Sequence, residues 1–185
     1  MEAIYPILFL GYYFLRQDAG LSLNWATLLF LYFGIVIVID IEHHLILRPV
    51  SIAGAVLGIF FGVRFHGMDA TLLGGAGGFL IMLSLYFLGI GFVRIWSRMF
   101  QKELSETEGL GFGDVSLGGV IGLLLGWPAV VIGVVMTILL AGAASLLYII
   151  ISKASGKYHP NMSLPYGPFL SASTLFLLIY HSIIR

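Results

Sequence analysis

Residues 108–126 read EGLGFGDVSLGGVIGLLLG and place one aspartate, Asp114, at the start of a glycine-rich apolar run. Gly118, Gly122 and Gly126 follow it at intervals of four residues and therefore share one helical face with it. Small residues at this spacing allow a second membrane helix to pack closely. The stretch predicts a membrane helix that holds a carboxylate against a neighbouring span.

The composition is that of a membrane protein. Of the 185 residues, 59% are hydrophobic and 10% are charged, whereas soluble domains carry about 25% charged residues. The net charge of zero gives no electrostatic argument for a nucleic-acid partner. Cysteine is absent, which excludes disulfides, thiol catalysis and cysteine-ligated zinc. We therefore expect membrane lipid, and no nucleic acid, around this chain.

Seven apolar segments are predicted, near residues 3–15, 22–40, 50–64, 70–93, 114–126, 129–151 and 168–184. The first and the fifth are short for a bilayer, so a bundle of six spans is the alternative. No segment is able to fold separately in water. The prediction is an all-α polytopic transmembrane helical bundle of 6–7 spans, with residues 1–185 forming a single domain.

Lysine and arginine residues indicate the orientation of the bundle. The side that holds the N-terminus and the second, fourth and sixth loops carries six of them, namely Arg48, Arg94, Arg98, Lys102, Lys153 and Lys157. The other side carries three, namely Arg16, Arg64 and Arg185. Cytoplasmic loops are enriched in basic residues, so the first side is predicted to be cytoplasmic.

Two aspartates stand at the ends of predicted spans on that cytoplasmic side. Asp40 ends the apolar run 35–39, and Asp114 begins the run that the glycines introduce. An ionisable residue at a span is costly and indicates a functional site by default. The alternatives are an N-cap for Asp114, since aspartate is a preferred cap, and contact with lipid headgroups for Asp40.

A pair of carboxylates at similar depth suits acid–base hydrolysis. Like charges a few ångströms apart do not both ionise readily, so such a pair tends to share one proton. The ionised member takes a proton from water while the protonated member polarises a carbonyl, without a metal or covalent intermediate. Gly111 and Gly113 flank Phe112, so the backbone there is able to lie close to a ligand chain.

Three motifs resemble those of type IV prepilin peptidases, and they occur in that family's order. Residues 111–114 (GFGD) are similar to its GxGD signature, and residues 39–46 (IDIEHHLI) are similar to its first aspartate motif. Residues 164–170 (LPYGPFL) are similar to its C-terminal proline–glycine motif. The resemblance extends over roughly residues 5–178.

The resemblance implies a membrane-embedded aspartic endopeptidase with Asp40 and Asp114 as its catalytic dyad. It implies prepilin and pseudopilin substrates, as used in type IV pili and protein secretion. They are cut at the cytoplasmic face of the inner membrane, between a short basic leader and a hydrophobic helix. No cofactor or metal is expected. The residues that match or adjoin the motifs, and that are expected to bind substrate, are Glu42, Gly111, Phe112, Gly113, Pro165, Gly167 and Pro168.

This chain also departs from the family. Leu47 and Arg48 separate the first motif from Pro49, where the family often has proline directly, and Ser116 stands where lysine is frequent. Larger members carry an N-terminal cytoplasmic region with paired cysteines that accompanies N-methylation of the product. We expect the chain to be a peptidase domain without that region. The sequence leaves the oligomeric state open.

The sequence supports other functions of the same residues less well. A small proton- or cation-coupled transporter could use Asp40 and Asp114 to bind its ion, but transporters favour midplane charges and often contain internal repeats, and none is visible. A non-catalytic assembly subunit would leave the two aspartates without a role. His43 and His44 are adjacent and point about 100° apart on a helix, which suits interfacial residues better than a metal site.

An acidic segment precedes the glycine motif on the predicted cytoplasmic side, with members Glu103, Glu106 and Glu108. A solvated loop is the usual explanation of such a charge run. We predict that it also helps to recruit the basic leader of the substrate.

Overall fold

The computed structural model describes residues 23–43, 46–100, 111–155 and 165–184, and these contain six helices. In chain order the helices are α1 (Leu23–His43), α2 (Arg48–His66), α3 (Met68–Phe100), α4 (Phe112–Leu125), α5 (Ala129–Ala154) and α6 (Gly167–Ile184). The all-α prediction is confirmed for this part of the chain.

Six of the seven predicted segments coincide with these helices, and the segment near residues 3–15 lies outside the described residues. Helix α3 continues to Phe100, seven residues beyond the predicted end of its span. The helical spacing of Arg94, Arg98 and Lys102 predicts this continuation past the membrane. The added residues, 94–100, contain neither glycine nor proline, so nothing in their sequence interrupts the helix.

Among the described residues, three helices are long and apolar enough to cross a membrane, namely Arg48–His66, Met68–Ile95 and Ala129–Ala154. Phe112–Leu125 and Gly167–Tyr180 are apolar but shorter. The outward side of the bundle is itself apolar: large side chains such as Leu80, Leu88 and Leu139 are more than half exposed. An apolar surface of this extent suits contact with lipid.

The short helix α4 lies at the centre of the bundle. It contacts α2, α3, α5 and α6, whereas α1 packs on α6. Nine of its 14 residues are buried, among them Leu117, Ile121 and Leu124, none of which is exposed to any extent. A helix that is apolar on nearly all sides is expected to be enclosed by others. The aspartate at its start is thereby placed inside the bundle.

Close glycine contacts join α3 to α4 in antiparallel register. Gly74 faces Gly122, and Gly78 faces Gly118. Added Cβ atoms at Gly74, Gly78 and Gly122 would collide with the opposite backbone, and one at Gly118 would collide with the Met82 side chain. At the far end, the backbone N–H of Trp127 donates to the carbonyl oxygen of Ala70 at 2.9 Å. The packing face predicted from the glycine spacing is therefore present, and its partner is α3.

Candidate active site

Asp40 is a buried carboxylate near the end of α1. Only 4% of the residue is exposed, and its Oδ2 accepts a hydrogen bond from the backbone N–H of Gly167 at 2.8 Å. That N–H lies in the first turn of α6, where the backbone donors have no partner within the helix and favour an anion. The start of α6 therefore fixes one oxygen of Asp40.

Gly167 approaches Asp40 so closely that no larger residue fits. A Cβ atom built on Gly167 would lie 2.7 Å from Oδ2 and 3.0 Å from Cγ of Asp40. The glycine of the C-terminal motif thus allows backbone and carboxylate to meet directly.

Asp114 is held at the other helix start in a similar way. Its Oδ2 accepts the backbone N–H of Gly111 at 3.0 Å, and its own N–H donates to the carbonyl oxygen of Gly111 at 3.0 Å. The alternative that Asp114 is the N-cap of α4 is therefore wrong in position, because Gly111 is the N-cap and Asp114 is the third helical residue. The residue does satisfy a free donor of that helix end.

Only one carboxylate oxygen of Asp114, Oδ2, accepts the hydrogen bond from Gly111. Its Oδ1 is buried and has no hydrogen-bond partner among the described residues. The residue as a whole is 8% exposed. One oxygen thus anchors the side chain to the helix start, and the second accepts no hydrogen bond from the described residues.

The carboxylates of Asp40 and Asp114 lie within the range of an electrostatic interaction with each other. Tyr166 belongs to the same group. Burial, and then the negative charge of Asp114, raise the pKa of its hydroxyl, which therefore keeps its proton at neutral pH. The dipeptide Tyr166–Gly167 reaches both carboxylates, the first residue through an electrostatic interaction and the second through a hydrogen bond.

The glycine motif packs against the segment that follows α1. A Cβ atom on Gly113 would lie 2.8 Å from the Cβ of Ile46 and 3.2 Å from its backbone nitrogen. Gly113 thus allows the connection between α1 and α2 to lie directly against the start of α4. This contact sets the separation of the two aspartate-bearing segments.

The other residues predicted to bind substrate differ in their exposure to solvent. Phe112 is 58% exposed, with its ring edge-to-face against Tyr86 at a centroid distance of 6.3 Å. Glu42 is exposed, and its carboxylate lies 4.0 Å from the His43 ring. Pro165 and Pro168 are partly exposed beside the buried Gly167, and Gly111 is exposed beside Asp114.

Two further predictions concern residues that the structure covers only in part. No group of three or more potential metal ligands occurs among the described residues, which include His43 but not His44. Glu103, Glu106 and Glu108 lie outside the described residues, so their recruiting role stays a prediction.

Tyr166 and Ile46 were not singled out from the sequence. Tyr166 lies inside the motif at residues 164–170, whose interpretation rested on its glycine and prolines. The tyrosine hydroxyl is the feature that could have identified it as a site residue. Ile46 offered none, because its role is to place its backbone against Gly113.

Comparison with known proteins gives one family. The model of the Type IV leader peptidase family matches residues 27–150. A prepilin leader peptidase/N-methyltransferase of Aeromonas hydrophila is 25% identical over 188 aligned residues, which cover 97% of this chain and 59% of the relative. A protein of the same name from Pectobacterium carotovorum subsp. carotovorum is 27% identical over 163 residues, covering 86% of this chain and 52% of the relative. No solved structure gives a significant match.

Proposed function

The chain belongs to the type IV leader peptidase family, and we propose that it is a membrane-embedded aspartic endopeptidase that removes the short basic leader of prepilin- or pseudopilin-like substrates. The chain spans 59% of the length of the Aeromonas hydrophila relative, whose name also includes N-methyltransferase. The proposal therefore concerns proteolysis alone.

The electrostatic interaction between the buried Asp40 and Asp114 is the observation that supports this proposal. Both carboxylates are buried, each accepts a backbone N–H through Oδ2, and their charges interact. Two such groups in a site of low dielectric share one proton more readily than they carry two charges. The dyad therefore contains one base and one acid near neutral pH.

Hydrolysis by this dyad follows from its two protonation states. The ionised carboxylate takes a proton from a water molecule, whose oxygen attacks the carbonyl carbon of the scissile peptide bond. The protonated carboxyl gives its proton to the carbonyl oxygen. When the tetrahedral intermediate collapses, the C–N bond breaks and the departing amine receives the proton that came from water, while one hydroxyl of the intermediate returns its proton to the carboxylate that had protonated the carbonyl oxygen. The dyad returns to its starting state.

The residues around the dyad supply surfaces for an extended substrate. Gly111, Phe112 and Gly113 form one side, where the exposed Phe112 ring provides an apolar contact. Pro165, Gly167 and Pro168 form the other, and Glu42 would attract the basic leader. A short leader on the cytoplasmic side and an apolar helix inside the membrane suit a site at a membrane boundary.

The membrane arrangement is part of the same proposal. Residues 1–185 form a single domain of six or seven spans in the prokaryotic inner membrane, with the dyad at the cytoplasmic face. The basic residues on the loops at that side support this orientation. Both aspartates lie at helix ends rather than midway along a span, which favours the peptidase over the ion-coupled transporter.

Purified protein in detergent or proteoliposomes tests the activity. A synthetic substrate with a basic leader and an apolar segment should be cut once at their junction, as detected by mass spectrometry, with a chelator present. An intact substrate with well-folded protein, together with proton- or cation-coupled uptake into proteoliposomes, would reject the peptidase in favour of the transporter.

A further inference from the structure

Tyr32 is a buried tyrosine on α1 whose hydroxyl reaches across to another helix. Only 6% of the residue is exposed, and its Oη donates a hydrogen bond to the carbonyl oxygen of Val50 at 3.3 Å. Val50 is the third residue of α2. The proposed hydrolysis does not use this hydroxyl, but the bond joins the helix that carries Asp40 to its neighbour in the chain.

A glycine on α2 makes room for the tyrosine. Gly54 follows Val50 by four residues, so it lies beside the Val50 carbonyl on the surface of the helix. A Cβ atom on Gly54 would collide with Tyr32 Oη, and it would lie 2.9 Å from Cγ1 of Val120 on α4. The end of the Tyr32 ring therefore occupies a notch in α2 that only glycine provides, with a side chain of α4 at its edge. Helices α1, α2 and α4 meet at this notch.

The notch lies along the two helices that carry the dyad. Tyr32 precedes Asp40 by eight residues, which is about 12 Å along α1, and both residues are buried. Val120 follows Asp114 by six residues, which is about 9 Å along α4. Of the described helices, only α6 packs extensively against α1. The contact of Tyr32 therefore adds a tie between α1 and the helices on its other side.

We propose that Tyr32 is a positioning residue for the dyad. Its hydroxyl on Val50 and its ring in the notch fix α1 against α2 and α4, and so fix the position of Asp40 relative to Asp114. The Gly167 N–H holds the carboxylate of Asp40 itself, whereas Tyr32 holds the helix that carries it. This inference rests on the proposed dyad for its kinetic consequence, but not for the tie between the helices.

Kinetics of Tyr32→Phe test the positioning role, because phenylalanine keeps the ring and removes only the hydroxyl. A misplacement of about 1 Å in a catalytic group costs about a hundred-fold in rate, and the retained ring limits the movement. We therefore expect kcat to fall about three- to ten-fold, with KM within about two-fold of the wild type. Tyr180→Phe is the matched control, since it removes the same group from a tyrosine that is 56% exposed on α6. It should keep the wild-type kcat. An unchanged kcat in Tyr32→Phe, or a raised KM at constant kcat, would overturn the positioning role.

A second variant tests whether the notch and the hydroxyl act together. In Gly54→Ala the new Cβ excludes the hydroxyl, so kcat should fall at least as far as in Tyr32→Phe. Adding Tyr32→Phe to Gly54→Ala should then cost little more, because the bond to Val50 is already absent. Losses that multiply in the double variant would show that the two residues do not share this contact.

The distance between α1 and α2 tests the tie without any substrate. The chain contains no cysteine, so Val38→Cys on α1 and Ile52→Cys on α2, both at exposed positions, provide a unique pair of spin-label sites. Adding Tyr32→Phe should shift or broaden the distance distribution measured by electron paramagnetic resonance, and adding Tyr180→Phe should leave it unchanged. Identical distributions in the two variants would overturn the tie. A wild-type protein that cleaves nothing would overturn the proposed function, while these distances still decide the helix contact.

Discussion

A methyl group added at Gly167 is expected to displace Asp40 and slow cleavage. In Gly167→Ala the new Cβ would lie 2.7 Å from Asp40 Oδ2, whereas ordinary van der Waals contact begins at 3.4 Å. The carboxylate must therefore move by about 0.7 Å. Because the same oxygen accepts the Gly167 N–H at 2.8 Å, this movement also lengthens the bond that holds it.

The size of the effect follows from that displacement. A misplacement of about 1 Å in a catalytic group costs about a hundred-fold in rate, so a shift somewhat below 1 Å should lower kcat by ten- to a hundred-fold. A hydrogen bond to a charged acceptor contributes about 1.5–3 kcal/mol. Since the bond is weakened rather than lost, we expect the free energy of unfolding to fall by about 1 kcal/mol.

Steady-state cleavage of a leader-bearing peptide, together with Tm in the same detergent, measures both effects. Gly34→Ala is the control, because it adds the same methyl group on the helix that carries Asp40 but has no atom within 4 Å of the new Cβ. It should match the wild type in kcat and not lower Tm. If Gly167→Ala cleaves at the wild-type rate, contact with Gly167 does not set the position of Asp40, and the geometric argument is refuted.

Three further predictions follow from other parts of the molecule. Gly122→Ala should destabilise the protein by about 1–3 kcal/mol through overpacking, because its Cβ would collide with the carbonyl oxygen of Gly74. Thermal unfolding measures this loss, with Gly142→Ala as the control because its new Cβ meets no atom within 4 Å. Replacing Glu103, Glu106 and Glu108 together with glutamine should raise KM for a basic-leader substrate, more at low salt, with little change in kcat; an equal effect on a neutral-leader substrate would refute electrostatic recruitment. Chelators should leave cleavage intact, and a loss that added metal restores would contradict a metal-free dyad.

The helices were predictable because their signals are local. Long apolar runs and the four-residue glycine spacing identified the six described helices and the packing face of α4 from composition and periodicity alone. The continuation of α3 to Phe100 was predictable from helical spacing, although hydropathy alone marks where a span ends and not where a helix ends. Helix α4 was expected to be short, and its 14 residues agree.

The site was only partly predictable. The order of the motifs brought Asp40, Asp114 and the segment around Gly167 to one side, but it did not show that Gly167 itself binds Asp40. That bond joins residues 127 positions apart, and no local pattern encodes it.

The turnover of Asp40→Asn and Asp114→Asn variants tests the central claim most directly. Asparagine keeps the shape of each side chain and still accepts the backbone N–H, so both proteins should insert and unfold at temperatures near that of the wild type. Neither residue is able to replace the other in a dyad that needs one base and one acid. Each variant should therefore lose cleavage by about a thousand-fold or more, in the upper part of the range of roughly 10²–10⁴-fold that one general acid or base contributes. Cleavage within ten-fold of the wild type by either well-folded variant would contradict the dyad.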